Sequence, residues 1–183
     1  LLRSNARIVK GVVEEVTRHA PEAYLVLVTN PLDVMTYLAL RVSGKSRREV
    51  CGMAGALDSA RLAAHLAERL SVSVRDVQAL VLGGHGDSMV PLRSHTTVAG
   101  VPVTEFLSEE EWGPIVERTR RAGAEVVGLL QRGSAFYAPS AAAAVIRSFS
   151  AINESNDWIE CTCRSVATQS VVSTTVSYTH LTL

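Results

Sequence analysis

One histidine in this chain stands between glycines. The run Leu80 to Pro91 reads Leu-Val-Leu-Gly-Gly-His-Gly-Asp-Ser-Met-Val-Pro, so an apolar stretch, Ala79 to Leu82, breaks abruptly into Gly83-Gly84-His85-Gly86. The apolar stretch is predicted to be a buried strand. Glycine admits positive φ and close approach of a ligand to the backbone, so the His85 ring is expected to face a cavity and not to pack under neighbouring side chains. The plainer alternative is a histidine in a tight turn, and this segment alone does not separate the two.

Two further groups could act with such a ring. Asp58 and Arg61 lie three residues apart in Gly52 to Leu70, a segment with helical apolar spacing through Leu62, Leu66 and Leu70. That spacing puts a carboxylate and a guanidinium on one helix face. They form either a surface ion pair of a few tenths of a kcal/mol or a working pair, and the apolar surroundings argue against full solvation. Asn30 follows the apolar run Tyr24 to Val28 and precedes Pro31. It reads as a helix N-cap with Pro31 at N1, and it also sits at a strand end, where ligands bind in parallel sheets.

The elements that must position these groups can be read from periodicity. The first residues are predicted to be helical, with Ile8, Val12, Val13 and Val16 as the apolar face. The run Tyr24 to Val28 has the unbroken apolar character of a strand buried on both faces. A helix follows over Leu32 to Val42 with Val34, Leu38 and Val42 inward, then a strand at Glu49 to Gly52. Beyond Pro91, Ser94 to Val98 and Val101 to Val103 are predicted to pair through an Ala99-Gly100 turn. Ser108-Glu109-Glu110-Glu111 opens a helix with a capping box. Ile115, Val116, Ala122, Val126, Val127 and Leu130 are predicted inward, Glu117, Arg118, Arg120 and Arg121 outward, and Gly133 is the expected stop. Another helix is expected from Ser140 to Phe149.

Composition limits the partners. The 183 residues carry 18 basic and 18 acidic side chains and are 47% hydrophobic, the make-up of a globular protein with no electrostatic footprint for nucleic acid or an anionic membrane. No apolar run approaches the roughly 18 residues of a membrane span. Cys51, Cys161 and Cys163 show no Cys-x-x-Cys spacing, which fits a reducing, cytoplasmic setting without disulfides or zinc. His19, His65, His95 and His180 make no His-x-x-x-His pair, so no metal site is expected. The sequence opens within a helical pattern, as expected of a fragment lacking an N-terminal portion. After Ala151 about a third of residues are Ser or Thr and the last formal charge is Arg164. Residues 151–183 therefore read as a non-native or disordered tail, with local β propensity at Val171 to Tyr178.

Taken together, Val28-Thr29-Asn30-Pro31-Leu32-Asp33, Leu57-Asp58-Ser59-Ala60-Arg61 and Gly83-Gly84-His85-Gly86-Asp87 resemble the lactate/malate dehydrogenase family in types and order. Met53-Ala54-Gly55 and Asp87-Ser88-Met89-Val90-Pro91 make the chain most similar to lactate-dehydrogenase-like malate dehydrogenases. The resemblance covers about residues 1 to 149. It implies an α/β fold, with residues 1–53 the end of a Rossmann dinucleotide-binding domain and 54–150 an α+β C-terminal substrate domain.

By the same resemblance His85 is the acid and base of hydride transfer, and Asp58 orients its ring and favours the imidazolium. Arg61 would grip a substrate carboxylate in a fork that lysine cannot form. Asn30 would touch substrate and cofactor ribose, and Asn5, Val28 and Thr29 would touch NAD. The implied substrate is a 2-hydroxy or 2-oxo dicarboxylate, and the implied full-length assembly is a homodimer or homotetramer.

The departures matter too. No glycine-rich phosphate turn is present, since Met89 stands where a third glycine after Gly84-x-Gly86 would be needed. The family's mobile-loop arginines would lie upstream of Leu1, so malate against lactate rests on flanking similarity. The isolated chain is accordingly expected to bind NAD weakly and to lack useful turnover. The alternatives are a lactate or other 2-hydroxy acid dehydrogenase and, from another class, a non-catalytic oligomerisation remnant.

Overall fold

The computed structural model describes residues 2–131, 133 and 135–152, with side chains described as far as residue 146. Two compact units are present, Leu1–Ala54 with Phe136 onward, and Gly55–Ala135. Residues 153–183, which include most of the expected 151–183 tail and all of the expected Val171 to Tyr178 strand, lie outside the described residues.

The first unit follows helix, strand, helix, strand: α1 (Leu2–His19), β1 (Leu25–Leu27), α2 (Leu32–Ser43) and β2 (Val50–Gly52). β1 and β2 are parallel, with Leu25 opposite Val50 and Leu27 opposite Gly52, which is the βαβ arrangement the apolar runs predict. β1 is shorter than expected, because pairing ends where Met53 N–H donates to the Leu27 carbonyl at 2.9 Å. The core is Val9, Val13, Leu25, Met35, Ala39 and Val50. Two predicted faces are thus rotated. α1 buries Val9 and Val13 and leaves Ile8 and Val12 only half-buried, while α2 buries Leu32, Met35 and Ala39 and leaves Val34 exposed.

Asn30 is not the cap of α2. Pro31 holds that position with extended backbone and no side-chain cap bond, after a cis Asn30–Pro31 peptide. The ladder starts with Met35 N–H donating to the Pro31 carbonyl at 3.1 Å.

The second unit opens with α3 (Gly55–Leu70), followed by β3 (Val77–Gln78), β4 (Val81–Gly83), β5 (Met89–Pro91), β6 (Thr97–Val98), β7 (Val101–Pro102) and α4 (Glu109–Leu130). β4 and β5 form an antiparallel hairpin, Val81 facing Pro91 and Gly83 facing Met89. The predicted strand Ala79 to Leu82 overlaps β4, and β5 has no counterpart among the predicted elements. β6 pairs with both β3 and β7, and Ala99 and Gly100, both at positive φ (50° and 82°), turn β6 into β7, the geometry that suits strand twist.

Leu62 and Leu66 of α3 pack with Val81, Met89, Trp112 and Ile115 in one core. α4 starts at the predicted capping box, Ser108 accepting from the Glu111 N–H and Glu111 from the Ser108 N–H. Its inward face holds Trp112, Ile115, Val116, Thr119 and Ala122, whereas Val126, Val127 and Leu130, predicted inward, are exposed. The reason is length: 22 residues of α4 outrun the 16 of α3, by about 9 Å at 1.5 Å per residue. α4 ends at Gln131 in the left-handed region, two residues before the predicted Gly133. α5 (Tyr137–Ile152) groups with the first unit.

Candidate active site

The β4–β5 hairpin and the first turn of α3 build one site inside the second unit. Asp58, in that first turn, is 1% exposed. An ionised carboxylate can only accept hydrogen bonds, and Asp58 accepts two. His85 Nδ1–H donates to Oδ2 at 2.8 Å, and Arg61 donates to Oδ1 at 3.5 Å. The first bond places the imidazole proton on Nδ1 and leaves Nε2 as the nitrogen available for proton exchange. The second is long, so it leaves most of the five guanidinium N–H donors uncommitted.

Backbone geometry explains why the ring stays there. Gly83 has φ +82°, and a Cβ on it would lie 2.5 Å from the Ser88 carbonyl oxygen, so only glycine closes the turn at this point. Gly86 also has positive φ, +98°, but with open space around it. Met89 N–H donates to the Gly86 carbonyl at 3.1 Å and closes the loop. Ser59, beside Asp58, accepts from Val81 N–H at 3.0 Å, so adjacent residues of α3 hold the start of β4 and the ring beyond its end. Sequence reasoning missed Ser59, although its place next to Asp58 was the available signal.

α4 completes the surroundings. The Arg61 guanidinium lies against Gly123, where an added Cβ would sit 3.6 Å from it. Arg120, predicted outward, donates instead to the Met89 carbonyl at 3.5 Å. Arg118, also predicted to be simply solvated, bridges Glu68 at 2.6 Å and Glu125 at 3.3 Å. His65 donates from Nδ1 to the Thr119 hydroxyl at 3.0 Å, because that hydroxyl spends its own proton on the Ile115 carbonyl at 2.8 Å. Burial, with help from the Arg118 charge, pushes the His65 pKa below its ordinary value.

The remaining expected residues lie in the first unit. Val28 and Thr29, half-buried, and Asn30, exposed, follow β1, and Asn5 Nδ2–H of α1 donates to the Asn30 carbonyl at 2.7 Å. Asn30 has a side chain free of any capping role, at the strand end where an open α/β sheet takes its ligand. These polar groups suit a ribose. Among the described residues no group of three or more His, Cys, Asp or Glu could hold a metal.

Comparison with known proteins accounts for both units. Residues 1–52 match the family model described as lactate/malate dehydrogenase, NAD binding domain, and residues 55–179 the one described as lactate/malate dehydrogenase, alpha/beta C-terminal domain. The malate dehydrogenase of Chlorobium phaeobacteroides is 55% identical over 143 residues, 78% of this chain and 46% of that protein. The Methanosarcina acetivorans malate dehydrogenase is 50% identical over 142 residues, again 46% of its length. The chain therefore spans about half the length of the curated relatives it matches. Among solved structures, malate dehydrogenase from Salinibacter ruber superposes with a TM-score of 0.77 at 51% identity, covering 81% of this chain and 48% of that one. Lactate dehydrogenase from Cryptosporidium parvum, complexed with lactic acid and nicotinamide adenine dinucleotide, gives 0.77 at 44% identity over 80% of this chain and 48% of that one. With the α/β fold of both its domains represented here, the chain belongs to the lactate/malate dehydrogenase family.

Proposed function

We propose that this chain serves an NAD-dependent malate dehydrogenase, interconverting malate and oxaloacetate. The observation that carries the reading is the 2.8 Å bond from His85 Nδ1–H to the buried carboxylate of Asp58, with Arg61 one turn along the same helix. In the reducing direction the ring starts doubly protonated. Its Nε2–H proton goes to the carbonyl oxygen as hydride reaches the carbonyl carbon, and the ring is left neutral with Nδ1–H still on Asp58. In the oxidising direction Nε2 takes the hydroxyl proton. Asp58 keeps the tautomer and orientation, as the acidic member of a triad does. Arg61 holds the substrate carboxylate.

NAD, when bound, supplies the hydride acceptor, or in reduced form the donor. Val28, Thr29 and Asn30 at the β1 end, with Asn5, would hold its nicotinamide side. Residues 1–53 then form the end of the dinucleotide-binding domain and 54–150 the substrate domain, a division supported by the two family matches. We place the enzyme in the cytoplasm, as a homodimer or homotetramer at full length, in the tricarboxylic acid cycle. Lactate is the second reading, favoured by the lactate dehydrogenases among the solved relatives.

The test uses two proteins. The 183-residue chain is expected to show weak NAD binding and no useful turnover, because its sequence carries no glycine-rich phosphate turn. A chimera in which the matching segment of this sequence replaces the 143 residues it aligns with in the Chlorobium phaeobacteroides protein is expected to reduce oxaloacetate in preference to pyruvate. In it, His85→Asn should cut kcat by about 10² to 10⁴ with NADH affinity nearly intact. Collapse of NADH binding together with kcat would make His85 a structural residue instead.

A further inference from the structure

We infer that His65 acts on the substrate through Arg61: protonation of its ring and the seating of a substrate carboxylate on Arg61 favour each other. The inference rests on reading Arg61 as the carboxylate grip. α3 and α4 run antiparallel, and their side chains meet in successive rungs. Arg61 lies against Gly123, His65 bonds Thr119 at 3.0 Å, and Arg69 bridges Glu111 at 2.5 Å. Arg61 and His65 are four residues apart on α3 and occupy neighbouring rungs, a spacing at which charged side chains interact.

Thr119 is buried and gives its own proton to the Ile115 carbonyl, so it accepts the Nδ1–H of the neutral ring and leaves Nε2 unprotonated. Burial, and then Arg118, holds the ring below its ordinary pKa, so the second proton arrives on Nε2 only as pH falls. The charge it brings meets Arg61 and Glu68 of α3 and Arg118 and Glu125 of α4. Three of these four are tied to one another, since Arg118 bridges Glu68 at 2.6 Å and Glu125 at 3.3 Å. Arg61 is different. Its contact with Asp58 is 3.5 Å long, and Asp58 also accepts from His85, so the Arg61 charge is the one that a bound anion would offset. An anion there relieves repulsion on the imidazolium, and by reciprocity the imidazolium strengthens the hold on the anion. Charges about 6 Å apart in water-like surroundings, screened by salt, couple by about two- to threefold.

Two measurements test this. In the 183-residue chain without ligand, the His65 ring protons, followed by nuclear magnetic resonance, should titrate about 0.3 to 0.5 pH higher in Arg61→Gln than in wild type. Arg61→Lys, which keeps the charge, should titrate close to wild type. An Arg61→Gln midpoint equal to that of wild type overturns the inference. In the chimera, KM for oxaloacetate in wild type relative to His65→Gln should fall about two- to threefold between about pH 7.5 and 5.5, while the ratio of their kcat values stays level. His85 titrates in both proteins and cancels in these ratios. A change confined to kcat would place the effect at His85 and overturn the inference. So would a level KM ratio in a chimera where Arg61→Lys raises KM. If Arg61→Lys leaves KM unchanged, the reading of Arg61 as the carboxylate grip fails, and the proposed role of His65 falls with it.

Discussion

Asp58 and His85 are separated by 27 residues in sequence and by 2.8 Å in space, Oδ2 to Nδ1, with the carboxylate 1% exposed. Asp58→Asn keeps the shape and removes the obligate acceptor. The new amide can donate to Nδ1 and so favour the other tautomer, with the proton moved to Nε2. In the chimera kcat for malate oxidation should fall roughly 10³- to 10⁴-fold, while NADH affinity changes little. A loss under tenfold would show that Asp58 does not set the protonation of the ring.

Arg61 gives a second outcome. Its bond to Asp58 is 3.5 Å, so its role in holding Asp58 is slight and its fork is largely free. Arg61→Lys keeps the charge and loses the planar pair of donors. The expected cost is about 1.5 to 3 kcal/mol, read as a loss in kcat/KM of roughly 10- to 100-fold in the chimera with an unchanged melting temperature.

The two turn glycines separate strain from collision. Gly86→Ala meets only the strain of positive φ, since nothing lies within 4 Å, and should cost about 1 kcal/mol. Gly83→Ala adds a collision with the Ser88 carbonyl at 2.5 Å and should cost about 2 to 4 kcal/mol. Denaturant unfolding of the two variants checks the order, and equal losses would show that the hairpin yields at Gly83.

His65 predicts a pH dependence. Its pKa in the folded chain lies below the ordinary 6.5, chiefly through burial and then through Arg118, with Arg61 acting the same way and Glu125 and Glu68 opposing. The unfolded chain therefore takes up a proton at a higher pH than the folded one. This contribution is fully present above about pH 6.5 and is lost as pH falls through the folded value. His65→Gln should flatten the stability profile below pH 6.5 relative to wild type, as followed by denaturant midpoints at stepped pH. An unchanged slope would show that His65 titrates alike in both states.

What could be read from the sequence was decided by range. The shared helix face of Asp58 and Arg61 and the capping box at Ser108 depend on types and short spacings, while the grouping of His85 with them is what the family resemblance implies. The α3 and α4 residues facing the shared core followed from a period of 3.6. Other features depend on where neighbouring elements end. Val126, Val127 and Leu130 keep helical apolar spacing past the point where α3 can cover them. Asn30 has the type of an N-cap, yet Pro31 takes that position and Asn5 claims the Asn30 carbonyl. β5 was hidden because Met89-Val90-Pro91 is too short to show alternation and is recognisable only opposite β4. Arg120 looked like solvated charge because its partner, the Met89 carbonyl, is a backbone atom, which no side-chain pattern reveals.

The adjacent attachments of α3, Ser59 to the Val81 N–H and Asp58 to the His85 ring, have a mechanical consequence. One turn of helix anchors both the root of the hairpin and the ring near its tip, so the arm is clamped at two points on a common base. Jostling of α3 moves carboxylate, imidazole and lever together, as common-mode motion. The donor–acceptor distance between Asp58 and His85 is in this way insulated from displacements of the frame that carries them.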